Sequence, residues 1–287
     1  MIPNKKKFLI DVVGKFNHGR GGTIALYTLC HLINKLGGES YVTHPLGVSY
    51  LNTPHLKLKP EQFLSDDFII VYPPSQQTGN RYGAKNVVRW VMHKTECASW
   101  NQEMVDLNAN DLYFSVTQDC FMPNNINYCG LLDVHYIDKS IFNNKNLKRE
   151  GSVFIIKKGT FLSGSPQYKV HPRNAVQLDQ FHKDWYRMCD FFNTSEYFYC
   201  YDNRSVWPII AALCGCISIV VPDPISKLTP EQFYKRSWTN YAGVAYGLSE
   251  IERAKKTNKN VEKVIELADE ACLKQVDNFM NVCYNYF

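Results

Sequence analysis

A histidine and an arginine lie among glycines in the run Phe-Asn-His-Gly-Arg-Gly-Gly-Thr at residues 16–23. The run follows an apolar stretch typical of a buried strand and precedes an amphipathic stretch typical of a helix. A neutral imidazole such as that of His18 can remove a proton from a hydroxyl, and Arg20, Gly21 and Gly22 can bring positive charge and backbone N–H groups to an anion. The glycine spacing matches neither the dinucleotide loop nor the nucleoside-triphosphate loop, so a purely structural turn is the alternative.

A second polar run, at residues 71–90, is rich in hydrogen-bond donors and lies between two apolar stretches. Side chains of this kind line sites for hydroxyl-rich or anionic ligands. The candidates are Asn80, Arg81, Lys85, Asn86 and Arg89. Trp90, which ends the run, either stacks on a sugar face or fills the core.

Two further runs have polar residues directly after predicted strands. Lys157 and Lys158 follow one apolar run and suit a diphosphate, unless they are only a solvated strand end. Asp202 follows another and can accept hydrogen bonds from hydroxyls or cap a helix. We predict Ser205 as the N-cap of the helix after it, whose first amides suit phosphate oxygens.

Charge and composition exclude several classes of protein. The chain of 287 residues has 32 Lys and Arg against 27 Asp and Glu, and its net charge of +5 is too small to indicate nucleic acid binding but mildly favours an anionic ligand. Hydrophobic residues make up 45%, which is typical of a folded globular protein. Because the sequence has no Asp-x-Asp pair and no histidines at ligand spacing, we expect a mechanism that needs no metal and no cofactor.

The cysteines and the first residues of the chain bear on its compartment. The ten cysteines include no Cys-x-x-Cys pair and several lie in apolar runs, so we expect buried free thiols rather than zinc ligands. Lys5, Lys6 and Lys7 precede only a short apolar stretch, which does not fit an export signal, and no window is apolar enough to span a bilayer. These features predict a soluble cytoplasmic protein, with a peripheral membrane contact left open.

Short apolar runs separated by turns recur along the first half of the chain and indicate a mostly parallel sheet. The polar stretch 137–151 lacks periodicity and marks a domain boundary, after which strand and helix patterns alternate again. Apolar residues three and four apart between Val261 and Cys283 predict one long helix with a single buried stripe. We therefore expect an α/β domain over 1–145, a second over 146–250 and a C-terminal helix within 251–287.

Several motifs, in a fixed order, resemble those of one enzyme family. They are Tyr-Pro-Pro through Gly-Ala-Lys-Asn-Val-Val-Arg-Trp, then Ile-Ile-Lys-Lys-Gly, His171-Pro172, Tyr-Asp-Asn-Arg-Ser and Ala-Ala-Leu-Cys-Gly-Cys. Together, over residues 8–223, they resemble small GT-B-fold glycosyltransferases of bacterial polysaccharide clusters and large DNA viruses. The resemblance implies two Rossmann-like domains facing a cleft, the first binding mainly the acceptor and the second mainly the nucleotide-sugar donor. It also implies that no metal is needed and that the final helix packs back on the first domain.

The resemblance implies roles for single residues as well. For the donor site the resemblance implies Gly21, Gly22, Lys158, Tyr201, Asp202 and Ser205. The polar runs described above add Arg20 and Lys157 as donor-binding candidates. The predicted acceptor residues, on the first domain, are Asn80, Lys85, Asn86 and Trp90. Many members of the family have a ribose-binding Glu where this chain has Ala211. Either Asp202 or Glu196 contacts the ribose instead, or the nucleotide is not held in the usual way.

These inferences lead to one expected function and two alternatives. The expected function is transfer of a sugar from a nucleotide-sugar donor to a hydroxyl of a glycan or glycolipid, with His18 as the base if the reaction inverts configuration. Lys158 and helix amides would stabilise the departing diphosphate. Pyruvyl transfer to a glycan on the same scaffold is one alternative. A catalytically silent carbohydrate- or nucleotide-binding protein, which Ala211 favours, is the other. No nucleic acid partner is expected.

Overall fold

A computed structural model of the chain shows an α/β protein. It describes residues 5–12, 21–46, 51–58, 64–73, 79–92, 108–117, 126–156, 169–203, 205–223, 228–235 and 241–287. The chain forms two compact units, the first made of Met1–Tyr136 and Glu270–Phe287 and the second of Ile137–Asp269. The boundaries expected near residues 145 and 250 both lie inside the second unit.

The first unit is built on a six-stranded parallel sheet with one helix described between its first two strands. The elements are β1 (Lys7–Ile10), α1 (Gly21–Lys35), β2 (Ser40–Val42), β3 (Phe68–Tyr72), β4 (Asn86–Val91), β5 (Leu112–Ser115) and β6 (Asn127–Leu131). The strand order is β2-β1-β3-β4-β5-β6, and every neighbouring pair is parallel. Most of these strands are apolar runs because both faces of a parallel sheet are covered.

Alternate residues of β1 lie in different cores of the first unit. Phe8 and Ile10 belong to a large cluster that includes residues of α1, whereas Leu9 packs with Ile70 and Tyr72 in a smaller one. This alternation follows from the two-residue period of a strand. The residues that end β1 and β3 are therefore held from both faces.

The second unit contains a five-stranded parallel sheet. Its strands are β7 (Ser152–Ile155), β8 (Val176–Gln177), β9 (Tyr197–Cys200), β10 (Ile217–Val220) and β11 (Val244–Tyr246). Its helices are α2 (Trp185–Thr194), α3 (Trp207–Leu213), α4 (Pro230–Tyr234), a 3-10 helix (Leu248–Glu250) and α5 (Ile251–Asn258). Local sequence starts two of them: Asp184 caps α2 by accepting from the Arg187 N–H, and Thr229 and Gln232 form a capping box at α4.

The strand order repeats between the two units. The second sheet runs β11-β10-β9-β7-β8, so the first strand of each unit has the second strand on one side and the third strand on the other. In both sheets the chain direction across the sheet reverses at that first strand. Open α/β sheets bind ligands outside the carboxyl ends of the strands at such a reversal. The two positions are the β1/β3 edge of the first unit and the β7/β9 edge of the second, which we call the first and the second switch edge.

The C-terminal helix α6 (Val261–Tyr286) carries the apolar stripe that its spacing predicts. Val261, Ile265, Ala268, Cys272, Val276, Phe279 and Cys283 are all buried. The last part of α6 belongs to the first unit, where Phe279 contacts Phe8 and Phe114 with ring centroids 5.4 and 5.0 Å apart. The side chain of Gln275 accepts a hydrogen bond from the Asp133 N–H at 2.7 Å.

The cysteines and helices also bear on sequence predictions. Within the described ranges all cysteines are free thiols, and all but the half-buried Cys129 are buried. For the buried ones this confirms the prediction of buried free thiols.

No helix in the part of the chain that the structure describes combines the length and the apolar character needed to cross a membrane.

Candidate functional site

Part of the predicted site lies outside the described residues. His18, Arg20, Lys157 and Lys158 fall in segments whose structure is not described. Gly21 and Gly22 are the first two residues of α1 and are exposed. A Cβ at Gly21 would meet nothing within 4 Å, and one at Gly22 would meet only the Met92 sulfur at 3.7 Å, so packing does not require glycine at either position.

The first switch edge centres on a buried carboxylate. Asp11 follows β1 directly, is 0% exposed and donates its backbone N–H to the Val71 carbonyl at 3.0 Å. Its Oδ1 pairs with the Arg81 guanidinium and accepts from the Thr43 hydroxyl at 3.2 Å and the Tyr82 hydroxyl at 3.4 Å. These three side chains therefore converge on one carboxylate oxygen.

The second carboxylate oxygen of Asp11 has a different environment. Oδ2 is buried and accepts no hydrogen bond from the described residues. Burial raises the pKa of the Asp11 carboxyl above its ordinary value, although the Arg81 charge acts to lower it. Because buried polar atoms normally have a partner, Oδ2 marks this edge as a candidate site.

Tyrosine rings support the same edge. The rings of Tyr72 and Tyr82 are parallel, with centroids 6.3 Å apart, and the Arg81 guanidinium lies 4.6 Å from the Tyr82 centroid. The Tyr72 hydroxyl donates to Asn80 Oδ1 at 2.9 Å. Burial raises the pKa of Tyr72 to about 12, so this hydroxyl stays protonated and keeps donating at neutral pH.

The predicted acceptor residues do not come together. Asn80 adjoins the first switch edge through Tyr72. Lys85 precedes β4 and pairs with Asp66 at the surface, and Asn86 begins β4 and donates to the Asp66 and Phe68 carbonyls at 2.9 and 2.8 Å. Strands of a parallel sheet begin at the edge opposite their carboxyl ends, so these two residues lie at the far edge of the sheet from Asp11.

Trp90 belongs to the core of the first unit. It is 1% exposed, it lies in the same cluster as Phe8, and its indole N–H donates to the Leu132 carbonyl at 2.9 Å. The ring has no exposed face for a sugar to stack on. Of the two interpretations that the sequence left open, core packing is the one that the structure shows.

The second switch edge carries an imidazole held by aromatic rings. Tyr201 follows β9, and its hydroxyl accepts from the Val170 N–H at 3.0 Å and lies 2.7 Å from His171 Nδ1. The His171 ring stacks on Phe154 of β7, with centroids 3.8 Å apart and 12° between the planes. Burial and the nearby Lys169 charge lower the pKa of His171, so its imidazole is neutral near pH 7.

The turn after Tyr201 leads into α3. Asp202 is 5% exposed, and its carbonyl accepts from the Ser205 N–H at 3.1 Å. The buried Oδ1 of its neighbour Asn203 accepts no hydrogen bond from residues that the structure describes. The prediction that Ser205 caps α3 is corrected: the N-cap is Val206, and Ser205 Oγ only accepts from the Trp207 N–H at 3.3 Å.

Glu196, the other expected ribose contact, lies at the opposite edge from Asp202. It precedes β9, is exposed, and its carbonyl accepts from the Ile217 N–H at the start of β10. The four residues of β9 separate it from Tyr201 and Asp202. Ala211 lies within α3 and is 0% exposed. The second switch edge therefore brings together Tyr201 and Asp202, with Ser205 in the next turn, but not Glu196.

No three His, Cys, Asp or Glu side chains in the described part of the chain come together as a group that could hold a metal ion.

No family model and no curated protein matches the sequence.

Sequence reasoning missed two residues around which these edges are organised. The sequence patterns assign no role to Asp11, and His171 enters only as part of a motif. The signal for Asp11 was present, since a charge that follows the apolar run of a predicted strand lies where parallel sheets bind ligands. His171 follows no strand, and its partner Tyr201 is 30 residues away, so local patterns could not identify it.

Proposed function

We propose that this protein is a nucleotide-sugar-dependent glycosyltransferase of the GT-B type that transfers a sugar to a hydroxyl of a glycan or glycolipid without a metal. The observation that carries the proposal is the repeated strand order, because a reaction between two large substrates needs two binding sites and each unit has one switch edge. The order of motifs along the sequence supports the same family.

The second switch edge suits the donor. Its neutral His171 and the Tyr201 hydroxyl provide hydrogen-bonding groups beside an aromatic face, and Asp202 and Asn203 follow in the next turn. Polar groups beside an apolar wall are typical of nucleotide sites. Lys157 and Lys158 follow β7 in sequence and would neutralise the diphosphate.

The first switch edge suits the acceptor. Asp11, Arg81 and the neighbouring Asn80 offer acceptors and donors of hydrogen bonds, as hydroxyl-rich ligands require. His18, which follows β1 in sequence, is the proposed base for an inverting transfer. The Ala substitution of His18 should then lower turnover sharply while the melting temperature stays unchanged.

Thermal unfolding in the presence of donors tests this function. UDP-, GDP-, dTDP- and CMP-sugars are compared with the free nucleotides and with phosphoenolpyruvate, the donor for pyruvyl transfer. A ligand that binds only the folded state raises the melting temperature. We expect one nucleotide-sugar to raise it selectively, followed by nucleotide release when mixed glycan acceptors are added. A folded sample with no shift for any nucleotide-sugar contradicts the proposal.

Two carboxylate variants sharpen the donor assignment. Asp202→Asn is expected to reduce the donor-induced rise in melting temperature, because Asp202 lies at the second switch edge. Glu196→Gln is expected to leave it unchanged, because Glu196 begins the opposite edge. Equal loss in both variants would mean that the donor does not bind at the switch edge.

One observation favours a second candidate, a silent binding protein. The family's usual ribose-binding carboxylate is replaced by the fully buried Ala211, which cannot contact a ribose. A silent protein would show the selective thermal shift but no nucleotide release with any acceptor. The same experiment therefore separates the two candidates.

A further inference from the structure

Asp11 is a buried carboxylate with only one of its oxygens satisfied. Oδ1 accepts from Arg81, Thr43 and Tyr82, whereas the buried Oδ2 accepts from none of the described residues. The Thr43 hydroxyl has one hydrogen, which the Val12 carbonyl at 3.2 Å also attracts. A carboxylate taken out of water needs donors on both oxygens, so Oδ2 lacks a donor that a ligand could supply.

The net charge around Asp11 indicates which kind of hydrogen-bond donor Oδ2 would accept. Arg81 offsets the charge of Asp11, and the other groups that contact the carboxylate, Thr43 and Tyr82, are neutral hydroxyls. A pair with no net charge gives little attraction for a cation or an anion. The missing donor is therefore a neutral group such as a hydroxyl.

Arg81 provides the complementary half of the site. Only its Nη2 makes hydrogen bonds to described residues, and its side chain is 38% exposed. Its Nε and Nη1 groups therefore keep donor capacity on the guanidinium that pairs with Asp11. Neighbouring hydroxyls of a sugar match this arrangement, because each hydroxyl both donates and accepts.

We propose that Asp11 Oδ2 and Arg81 bind adjacent hydroxyls of a neutral saccharide, which makes the first switch edge a sugar-hydroxyl subsite. The identification of that saccharide as the acceptor rests on the proposed function, whereas its binding at this edge does not. Asp11 acts here as a binding residue.

Ligand-observed NMR with methyl glycosides of glucose, galactose, mannose and N-acetylglucosamine tests the subsite. At least one is expected to bind the wild-type chain, and Asp11→Asn is expected to bind it about tenfold more weakly or worse, since hydrogen bonds to charged groups are the strong ones. The matched control is Asp111→Asn. Asp111 is also a buried carboxylate paired with an arginine, Arg89, at 2.6 Å, but it precedes β5 at the opposite edge. Its variant should bind within about twofold of wild type.

Three outcomes overturn the proposal. They are no binding of any of the four glycosides to the folded wild-type chain, equal binding by Asp11→Asn and wild type, and equal weakening in the Asp11 and Asp111 variants. If Asp11→Asn does not fold, Arg81→Gln takes its place. It should weaken binding several-fold, and the surface variant Lys7→Gln, whose lysine pairs with Glu39, should not. Equal binding by these two variants also overturns the proposal.

Failure of this subsite and failure of the glycosyltransferase proposal give different results. The donor-induced thermal shift of Asp11→Asn should equal that of wild type, because the donor is assigned to the second unit. Lost glycoside binding with a retained donor shift supports both proposals. A missing donor shift with retained glycoside binding contradicts the glycosyltransferase but supports the subsite.

Discussion

The two switch edges have the same backbone plan but different chemistry. The first encloses a charged pair, Asp11 with Arg81, in which the carboxylate is fully buried. The second presents a neutral imidazole, His171, held between Phe154 and Tyr201. Each edge has one buried oxygen without a partner among the described residues, Asp11 Oδ2 and Asn203 Oδ1. The two edges therefore share a strand order but differ in the side chains that distant parts of the chain bring to them, so one backbone plan would suit two kinds of ligand.

The substitution with the largest expected effect on stability tests whether the two units have separate cores. Phe279→Ala should cost about 3–5 kcal/mol of stability, because a fully buried ring that contacts Phe8 and Phe114 is lost. Hydrogen exchange should speed up in Met1–Tyr136 and not in Ile137–Asp269, although Phe279 follows both in sequence.

Phe192→Ala is the matched control for that substitution. Phe192 is fully buried and contacts Phe198 of the second unit, with ring centroids 5.0 Å apart. Its loss should give the reverse exchange pattern. If either variant speeds exchange equally in both units, the cores are not separate.

The second-largest expected effect on stability comes from breaking the Asp11–Arg81 pair at the first switch edge. Arg81→Ala should destabilise the protein by about 2–3 kcal/mol, because it leaves the Asp11 charge buried and uncompensated, and partial exposure of Arg81 keeps the cost below that of a fully buried pair. Urea unfolding measures it. Lys7→Gln, which removes the exposed partner of Glu39, should change stability much less than Arg81→Ala does. A cost for Arg81→Ala no larger than this would show that the pair does not organise the edge.

A smaller effect is expected at the second edge. Tyr201→Phe removes the hydroxyl that bonds Val170 and His171 and should cost about 1 kcal/mol, measured by thermal unfolding. Tyr186→Phe serves as the control, since Tyr186 is 72% exposed. Equal melting temperatures for the two variants would contradict a structural role for the Tyr201 hydroxyl.

The smallest expected effect is a difference in pH response between the edges. The pKa of Asp11 is raised, so the folded state holds this proton more tightly, and the Asp11 contribution to stability falls as pH rises from the ordinary Asp range through the raised pKa. The pKa of His171 is lowered, so its contribution is full above the ordinary His range and falls as pH drops through that range.

Unfolding free energies of wild type, Asp11→Asn and His171→Gln across pH 4–8 test these slopes. Relative to wild type, Asp11→Asn should gain stability as pH rises and His171→Gln should gain it as pH falls. Slopes of the same sign would contradict the contrast between the two edges.

Local pattern was enough to predict much of the fold. The strands Phe68–Tyr72 and Tyr197–Cys200 agree with their apolar runs, and the stripe of α6 follows from spacing alone. The short β8 and β11 have too few residues to produce a pattern. The second unit begins at Ile137, the first residue of the polar stretch expected to hold a boundary, whereas its end at Asp269 lies inside α6, where the sequence pattern continues without a break.

The site was less predictable because its contacts join distant parts of the chain. Asp11 meets Thr43, Arg81 and Tyr82, which lie 32, 70 and 71 residues away. Whether Trp90 faces a ligand or the core also depends on long-range packing, here on Leu132. The position of Glu196 could have been inferred, because a residue that precedes a parallel strand lies at the edge opposite the ligand edge.

Hydrogen–deuterium exchange with a bound nucleotide-sugar tests the proposal that ligands bind at the carboxyl edges of the sheets. The donor that gives the largest thermal shift is added, and exchange is followed along the second unit. We expect slower exchange in residues 169–171 and 200–203 and no change in residues 195–197 and 215–217. Slower exchange confined to residues 195–197 and 215–217, or no change with any nucleotide-sugar, would contradict it.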